Sequence, residues 1–201
     1  MENIIQKLIS LSNSSKQVVL YQSDVKTIMK GIGKIMGKFD TELLEFLIFT
    51  NVASIFDYCF MGFKNTKLRV DIDKNALETW AANNRVVGHF MPFMITSTGD
   101  NFGYLMDIVD DKGRHPVAYY SNEHTDDIVV IGSSFKAFMK TFLTDVEDTL
   151  NTSGEDFIIE INKSGWPVNI EHWLANDEIL RANQAAIHIA MKTHMPDTNF
   201  H

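Results

Sequence analysis

Cysteine is almost absent from this chain. Cys59 is the only cysteine among 201 residues, so the sequence offers neither a disulfide framework nor a cysteine-rich zinc site. Its neighbours in Phe56-Asp57-Tyr58-Cys59-Phe60-Met61 are mostly apolar. This setting favours an inert thiol in the core over a nucleophile, because reactive cysteines occupy partly exposed, electropositive environments.

Positive charge is also scarce. The chain has 18 Lys and Arg residues against 26 Asp and Glu residues, which gives a formal net charge of −8. Because Lys and Arg make most of a protein's contacts to phosphate, this balance argues against binding to nucleic acid or to an anionic membrane. A basic protein partner is the natural complement of such a surface.

Long apolar runs are missing as well. The longest apolar-rich stretch, residues 43–63, is interrupted by Glu45, Asn51 and Asp57, so the sequence predicts no transmembrane span. The first 16 residues lack a basic segment followed by a continuous apolar block. We therefore expect no signal peptide and a cytoplasmic location.

The familiar motifs of catalysis are not found. Gly31-Ile32-Gly33-Lys34 is too short for a phosphate-binding loop, and no serine stands in a G-x-S-x-G elbow. Asp110-Asp111 and Asp126-Asp127 are adjacent acids in predicted turns, where solvated carboxyl groups lack the pKa shift that acid–base catalysis needs. We therefore expect a protein that is not an enzyme and has no cofactor.

Three residues leave a metal-dependent hydrolase open as an alternative. His115, Glu123 and His124 offer suitable ligand atoms, but their spacing matches no familiar metal motif. The favoured interpretation is that they are hairpin and loop side chains in water, and no metal site is predicted.

The apolar pattern predicts one α+β domain over residues 1–201. Apolar residues at steps of three and four indicate helices at 4–11, 23–38, 40–51, 73–83, 135–146, 169–175 and 177–192. Alternating and β-rich segments indicate strands at 68–72, 90–96, 102–108, 116–120, 128–131 and 157–161. Pro92 places its strand at a sheet edge or at a bulge. Expected helix caps are Asp40 or Thr41, Asp73, and Ser133 or Ser134. Together these elements predict an antiparallel meander closed by the helix at 135–146.

The order of several landmarks has a family counterpart. A helix ending at Asn51 precedes the strand with Pro92, the turn Gly99-Asp100, the strand Pro116-Val117, an acidic loop, and the helix start Ser133-Ser134-Phe135. Over about residues 38–143 this order resembles the SUKH superfamily, which includes Syd-like proteins and the yeast regulators of cell-wall glucan synthesis. The remaining N-terminal and C-terminal segments are then helical extensions of that core.

The resemblance implies an α+β fold with a central antiparallel or mixed sheet packed by helices. It also implies a function by binding, without catalytic residues. Bacterial members of the superfamily are commonly immunity proteins that neutralise toxins, often nucleases, of polymorphic or contact-dependent systems. Fungal members are regulatory scaffolds.

These observations lead to one expected function and one alternative. We expect a cytoplasmic, non-enzymatic immunity protein that occludes a basic toxin domain, with a regulatory scaffold as the alternative. Acidic groups on its surface would steer a basic partner into contact. The candidate partner-binding residues form a first group, Asp110, Asp111, Glu123, Asp126 and Asp127, and a second group, Asp145, Glu147 and Asp148.

Overall fold

A sheet of eight strands lies at the centre of the computed structural model, which describes residues 1–22, 24–32, 40–64, 71–152 and 170–201. In chain order the strands are β1 (Val18–Tyr21), β2 (Val52–Ile55), β3 (Tyr58–Phe60), β4 (Phe90–Thr96), β5 (Asn101–Leu105), β6 (Val117–Tyr120), β7 (Asp127–Gly132) and β8 (Asn199–Phe200). They lie side by side in that same order. Neighbours from β1 to β7 are antiparallel, whereas β8 pairs with β7 in parallel.

Helices pack against this sheet and confirm the predicted α+β class. In the described residues they are α1 (Glu2–Ser14), α2 (Val25–Ile32), α3 (Thr41–Phe49), α4 (Ile72–Ala82), α5 (Phe135–Thr152), α6 (Ile170–Asn176) and α7 (Glu178–His194), with a 3₁₀ turn at Asn84–Val86. None of the helices in these parts of the chain has the length and apolarity needed to cross a membrane.

Both faces of the sheet are covered, because side chains along each strand alternate between them. Phe102 and Tyr119 face the larger apolar cluster, which contains side chains of α1, α3 and α5. Leu105 and Ala118 face a smaller cluster on the opposite side. That second side is closed by α7 through Leu180, Ile187 and Met191. The central strands are therefore apolar on both faces.

The predicted caps agree with the structure at two helices and differ at a third. Asp40 Oδ1 accepts from the backbone N of Leu43 at 2.9 Å, and Ser134 Oγ accepts from the backbone N of Ala137 at 3.2 Å. The prediction for Asp73 was wrong, because α4 already begins at Ile72 and Asp71 occupies its N-cap position. Asp73 lies in the first turn, where its carboxylate still favours the helix N-terminus.

Strand boundaries also differ in places. The strand predicted to run to Ile108 ends at Leu105, because a turn follows in which the backbone N of Ile108 donates to Leu105 O. Pro92 lies at a bulge in β4, one of its two predicted places. Gly103 lies opposite Pro92 in β5. A residue with a Cβ would not fit there, because that atom would lie 2.4 Å from Met91 O.

Some predicted elements cannot be compared with the structure. Ile72 belongs to α4, so the strand predicted at 68–72 does not include it, and residues 65–70 lie outside the described residues. The strand predicted at 157–161 and the part of the predicted 23–38 helix beyond Ile32 also lie outside the described residues.

Candidate functional site

Three turns lie together at one end of the sheet. They connect β2 to β3, β4 to β5, and β6 to β7, and alternate connections of an antiparallel meander share an end. The backbone N of Ser97 donates to Asp57 O at 3.1 Å, which joins the first turn to the second. The backbone N of Asn122 donates to Asp100 Oδ1 at 2.9 Å, which joins the second turn to the third.

These turns and the start of β7 carry a concentration of carboxylates. We call this surface the acidic turn face, formed by Asp57, Asp100, Glu123, Asp126 and Asp127. Arg85 pairs with Asp126, and exposed Lys16 is nearby, since the next residue, Gln17, accepts from the backbone N of Phe56 at 2.9 Å. Five acids thus outnumber these two cations, and the surface is negative.

The β6–β7 turn within this face is held by hydrogen bonds to its backbone. Asn83 Nδ2 donates to Thr125 O at 2.7 Å and to the Tyr120 hydroxyl at 3.1 Å. Ser121 Oγ accepts from the backbone N of Glu123 at 3.2 Å. A turn fixed in this way loses little conformational entropy when a partner binds.

Asp110 and Asp111 lie away from the acidic turn face. They belong to the connection from β5 to β6 (residues 106–116), at the opposite end of β6 from Glu123 and Asp126. The structure therefore does not bring the five residues of the first predicted group together. Asp127 stays with Glu123 and Asp126. Asp57 and Asp100 join them, although neither was among the predicted partner-binding residues.

The Asp110 carboxylate is occupied by its own loop. Arg114 donates to Asp110 Oδ2 from Nε at 2.8 Å and from a terminal nitrogen at 2.6 Å, while the backbone N of Lys112 donates to Oδ1. Partial burial acts to raise the pKa of Asp110, but the hydrogen bonds from Arg114 outweigh it and the pKa lies below its ordinary value. Asp110 thus stabilises the β5–β6 connection. Exposed Asp111 is the acid of this connection that is more available to a partner.

This connection forms one wall of a groove whose other wall is α7. The groove has a volume of about 500 Å³ and is lined by residues that include Val109, Asp111, Ile179 and Ile187. Val109 and Ile179 are 57% and 55% exposed, which gives the groove apolar edges.

The second predicted group lies on α5 and serves two neighbouring helices. His172 Nε2 of α6 lies 3.0 Å from Asp145 Oδ2, and Lys7 Nζ of α1 lies 2.9 Å from Glu147 Oε2. Asp148 is exposed. Asp145 and Glu147 therefore attach α6 and α1 to α5, so both carboxylates already have partners within the chain.

The residues of the alternative hydrolase are not brought together. His115 is buried in the connection just before β6, where its Nδ1 lies 2.7 Å from Ile108 O. Glu123 and His124 are exposed in the turn after the other end of β6. These three side chains cannot share one metal ion in this arrangement.

A different histidine cluster was missed by sequence reasoning. His89 Nδ1 lies 2.8 Å from Asp107 Oδ2, and His194 Nδ1 lies 3.7 Å from Asp107 Oδ1. One potential ligand atom from each of these residues lies within 4.8 Å of the other two. No local spacing signals this cluster, since its members come from the turn before β4, the turn after β5 and the last residue of α7.

The single thiol is not suited to nucleophilic chemistry. Burial raises the pKa of Cys59 to about 11, so the thiol stays protonated at neutral pH. The side chain is half-buried in β3 rather than fully enclosed.

Comparisons with known proteins assign no family. No protein-family profile matches the chain, and a search of curated proteins finds no significant match.

Proposed function

We propose that this chain is a non-enzymatic protein-binding module that docks a basic protein domain on its acidic turn face. The observation that carries the proposal is the joining of three turns by hydrogen bonds into one surface with five carboxylates. The net charge of −8 gives the whole molecule the same sign as this surface.

Electrostatics explains what such a surface contributes. Carboxylates grouped on fixed turns attract a basic partner over a range of about 10 Å at 0.1 M salt. This attraction raises the association rate and orients the encounter, while the later close contacts determine how long the complex lasts. Added salt should therefore slow association far more than it speeds dissociation.

In its most specific form, the proposal is a cytoplasmic immunity protein of the SUKH type that occludes a basic toxin domain. The order of sequence landmarks and the α+β fold with a mixed sheet support this form. The alternative is a regulatory scaffold that docks a basic cellular protein on the same face.

Co-expression with the product of the adjacent upstream gene tests the specific form. If that product is the toxin, it should arrest growth when expressed alone, and co-expression of this chain should restore growth and yield a purified complex. Lack of both rescue and complex would overturn the immunity role for that pair.

Charge reversal tests the surface itself. In the double variant Asp57→Lys/Glu123→Lys, the association rate with the basic partner should fall about five- to tenfold at about 50 mM salt, with much less change at about 500 mM. Association kinetics measured by stopped flow or surface plasmon resonance give both values.

A matched control is Asp111→Lys/Asp148→Lys, which changes the net charge equally but lies off the acidic turn face. This control should lower the rate only slightly. If both double variants slow association to the same extent, net charge rather than this face drives binding, and the assignment fails.

A further inference from the structure

Three elements that are distant in sequence bring two imidazoles and one carboxylate together. His89 lies in the turn before β4, Asp107 in the turn after β5, and His194 is the last residue of α7. They lie at the opposite end of β4 and β5 from the turn that carries Asp100. The inference drawn from them is therefore independent of the acidic turn face.

The carboxylate stands between the two rings. Asp107 Oδ2 lies 2.8 Å from His89 Nδ1, while Oδ1 lies 3.7 Å from His194 Nδ1. Zinc binds His nitrogen and carboxylate oxygen at about 2.0–2.2 Å, which places tetrahedral ligand atoms about 3.5 Å apart. Ligand atoms that already lie within 4.8 Å of one another reach that spacing by small side-chain rotations.

The backbone holds the three positions. The backbone N of Met106 donates to His89 O at 2.8 Å, which ties the residue before Asp107 to His89. His194 is fixed by the last turn of α7, where the backbone N of Met195 donates to Met191 O at 2.7 Å. Carbonyl groups at a helix C-terminus carry partial negative charge, so this end of α7 favours a cation.

We propose that His89, Asp107 and His194 form a binding site for one divalent cation of the zinc class. Two neutral imidazoles and one carboxylate suit Zn²⁺ and related transition metals better than Mg²⁺ or Ca²⁺, which prefer oxygen ligands alone. The His194 side chain is 43% exposed, so the cation can enter from solvent. Three protein ligands leave a fourth tetrahedral position for water.

This cluster differs from the other His–Asp contacts of the protein. His172 contacts Asp145, and His201 contacts Asp127. Within the described ranges, only His89, Asp107 and His194 satisfy the geometry for three ligands. The competing explanation is that Asp107 simply accepts a hydrogen bond from His89 with His194 beside it, which requires no cation.

Cobalt titration of the untagged protein distinguishes these explanations. We expect the protein to bind one Co²⁺ per chain, with visible absorption typical of a low coordination number. One equivalent of Zn²⁺ should displace the Co²⁺, and calorimetry monitors this displacement. His194→Gln and Asp107→Asn should each weaken Co²⁺ binding at least about tenfold. His172→Gln, which removes a histidine that lies outside this cluster, should leave the affinity within about twofold.

Two outcomes would overturn the site. One is the absence of Co²⁺ and Zn²⁺ binding by the wild-type protein. The other is an equal loss of affinity in His172→Gln and His194→Gln, which would indicate scattered surface binding. Circular dichroism verifies the fold of each variant. If one of the ligand variants does not fold, the His89→Gln variant is titrated in its place. As a second readout, Zn²⁺ should raise the midpoint of thermal unfolding in the wild-type protein and in His172→Gln, but not in His194→Gln.

Discussion

Asp40 combines a capping role with an unfavourable location for a charge. Its side chain is buried, its Oδ1 caps α3, and the Tyr104 hydroxyl is a neighbour of the carboxyl. Burial raises the pKa of Asp40 even though the hydrogen bond from Leu43 opposes the change. Burial and the neighbouring Asp40 also raise the pKa of the Tyr104 hydroxyl. Folding therefore shifts this carboxyl toward its neutral form relative to the unfolded chain.

The sign of the pH effect follows from the raised pKa. Asp40 contributes most to stability below its unfolded pKa, and this contribution is lost as pH rises through the higher folded pKa. Asp40→Asn keeps an oxygen acceptor for Leu43 and removes the ionisation. Relative to wild type, its free energy of unfolding should rise by about 1 kcal/mol between about pH 4 and about pH 7. Urea unfolding at a series of pH values measures this difference.

Asp24 is the matched control at this scale. It precedes α2 and accepts hydrogen bonds from Thr27, and these lower the pKa of Asp24. Asp24→Asn should therefore lose stability relative to wild type as pH rises, which is the opposite trend. If the two variants follow the same trend, burial is not what perturbs Asp40.

At the scale of elements, one aspartate attaches α7 to the sheet. Asp177 Oδ1 accepts from the backbone N of Leu180 at 2.9 Å and caps the helix. Ser133, at the end of β7, donates to the same carboxylate from its backbone N at 2.7 Å and from its hydroxyl at 3.0 Å. The start of α7 is thus fixed to β7 by a buried charged acceptor with three donors.

Removing this carboxylate should loosen the helix that covers the smaller apolar cluster. Asp177→Ala should lower the free energy of unfolding by about 2–4 kcal/mol, because it removes a helix cap and leaves buried donors without an acceptor. Ser134→Ala, which removes one capping hydrogen bond of α5 and leaves the one from the backbone N of Lys136 to Glu42 Oε2, should cost about 1 kcal/mol. Urea unfolding compares the two, and hydrogen exchange should show lost protection in α7 for Asp177→Ala alone. Equal costs would contradict the attachment of α7 through Asp177.

At the scale of the whole molecule, two apolar layers share one sheet. Leu143 of α5 lies in the larger cluster and Met191 of α7 in the smaller one, and both are fully buried. Since the central strands contribute side chains to both clusters, neither layer can lose its helices without exposing the sheet. We therefore expect the described parts of the chain to unfold as one cooperative unit.

Core truncations test this cooperativity. Leu143→Ala and Met191→Ala should each cost about 2–5 kcal/mol and shift a single transition, with fluorescence and far-ultraviolet circular dichroism giving the same midpoint. Ile189→Ala, on the exposed side of α7, should change stability by less than about 0.5 kcal/mol. An early, separate transition in Met191→Ala would show that α7 detaches on its own.

Local patterns in the sequence were sufficient for the central elements. Alternation and turn residues located β4 to β7, and steps of three and four located α5 and α7, because each of these signals depends on residues close together in the chain. The strands β1, β2, β3 and β8 were not predicted. They have two to four residues each and become strands by pairing with their neighbours, and local sequence patterns do not encode that pairing.

The sequence by itself determined the α+β class and the net negative charge, and it narrowed two helix caps to Asp40 or Thr41 and to Ser133 or Ser134. All of these follow from composition or nearby residues. Only the tertiary structure decided which charged residues meet. It separated Asp110 from Glu123 along β6, joined Asp57 and Asp100 to the latter, and placed His194 beside Asp107. Strand pairing and helix packing determine these contacts between distant residues, and one-dimensional spacing does not encode them.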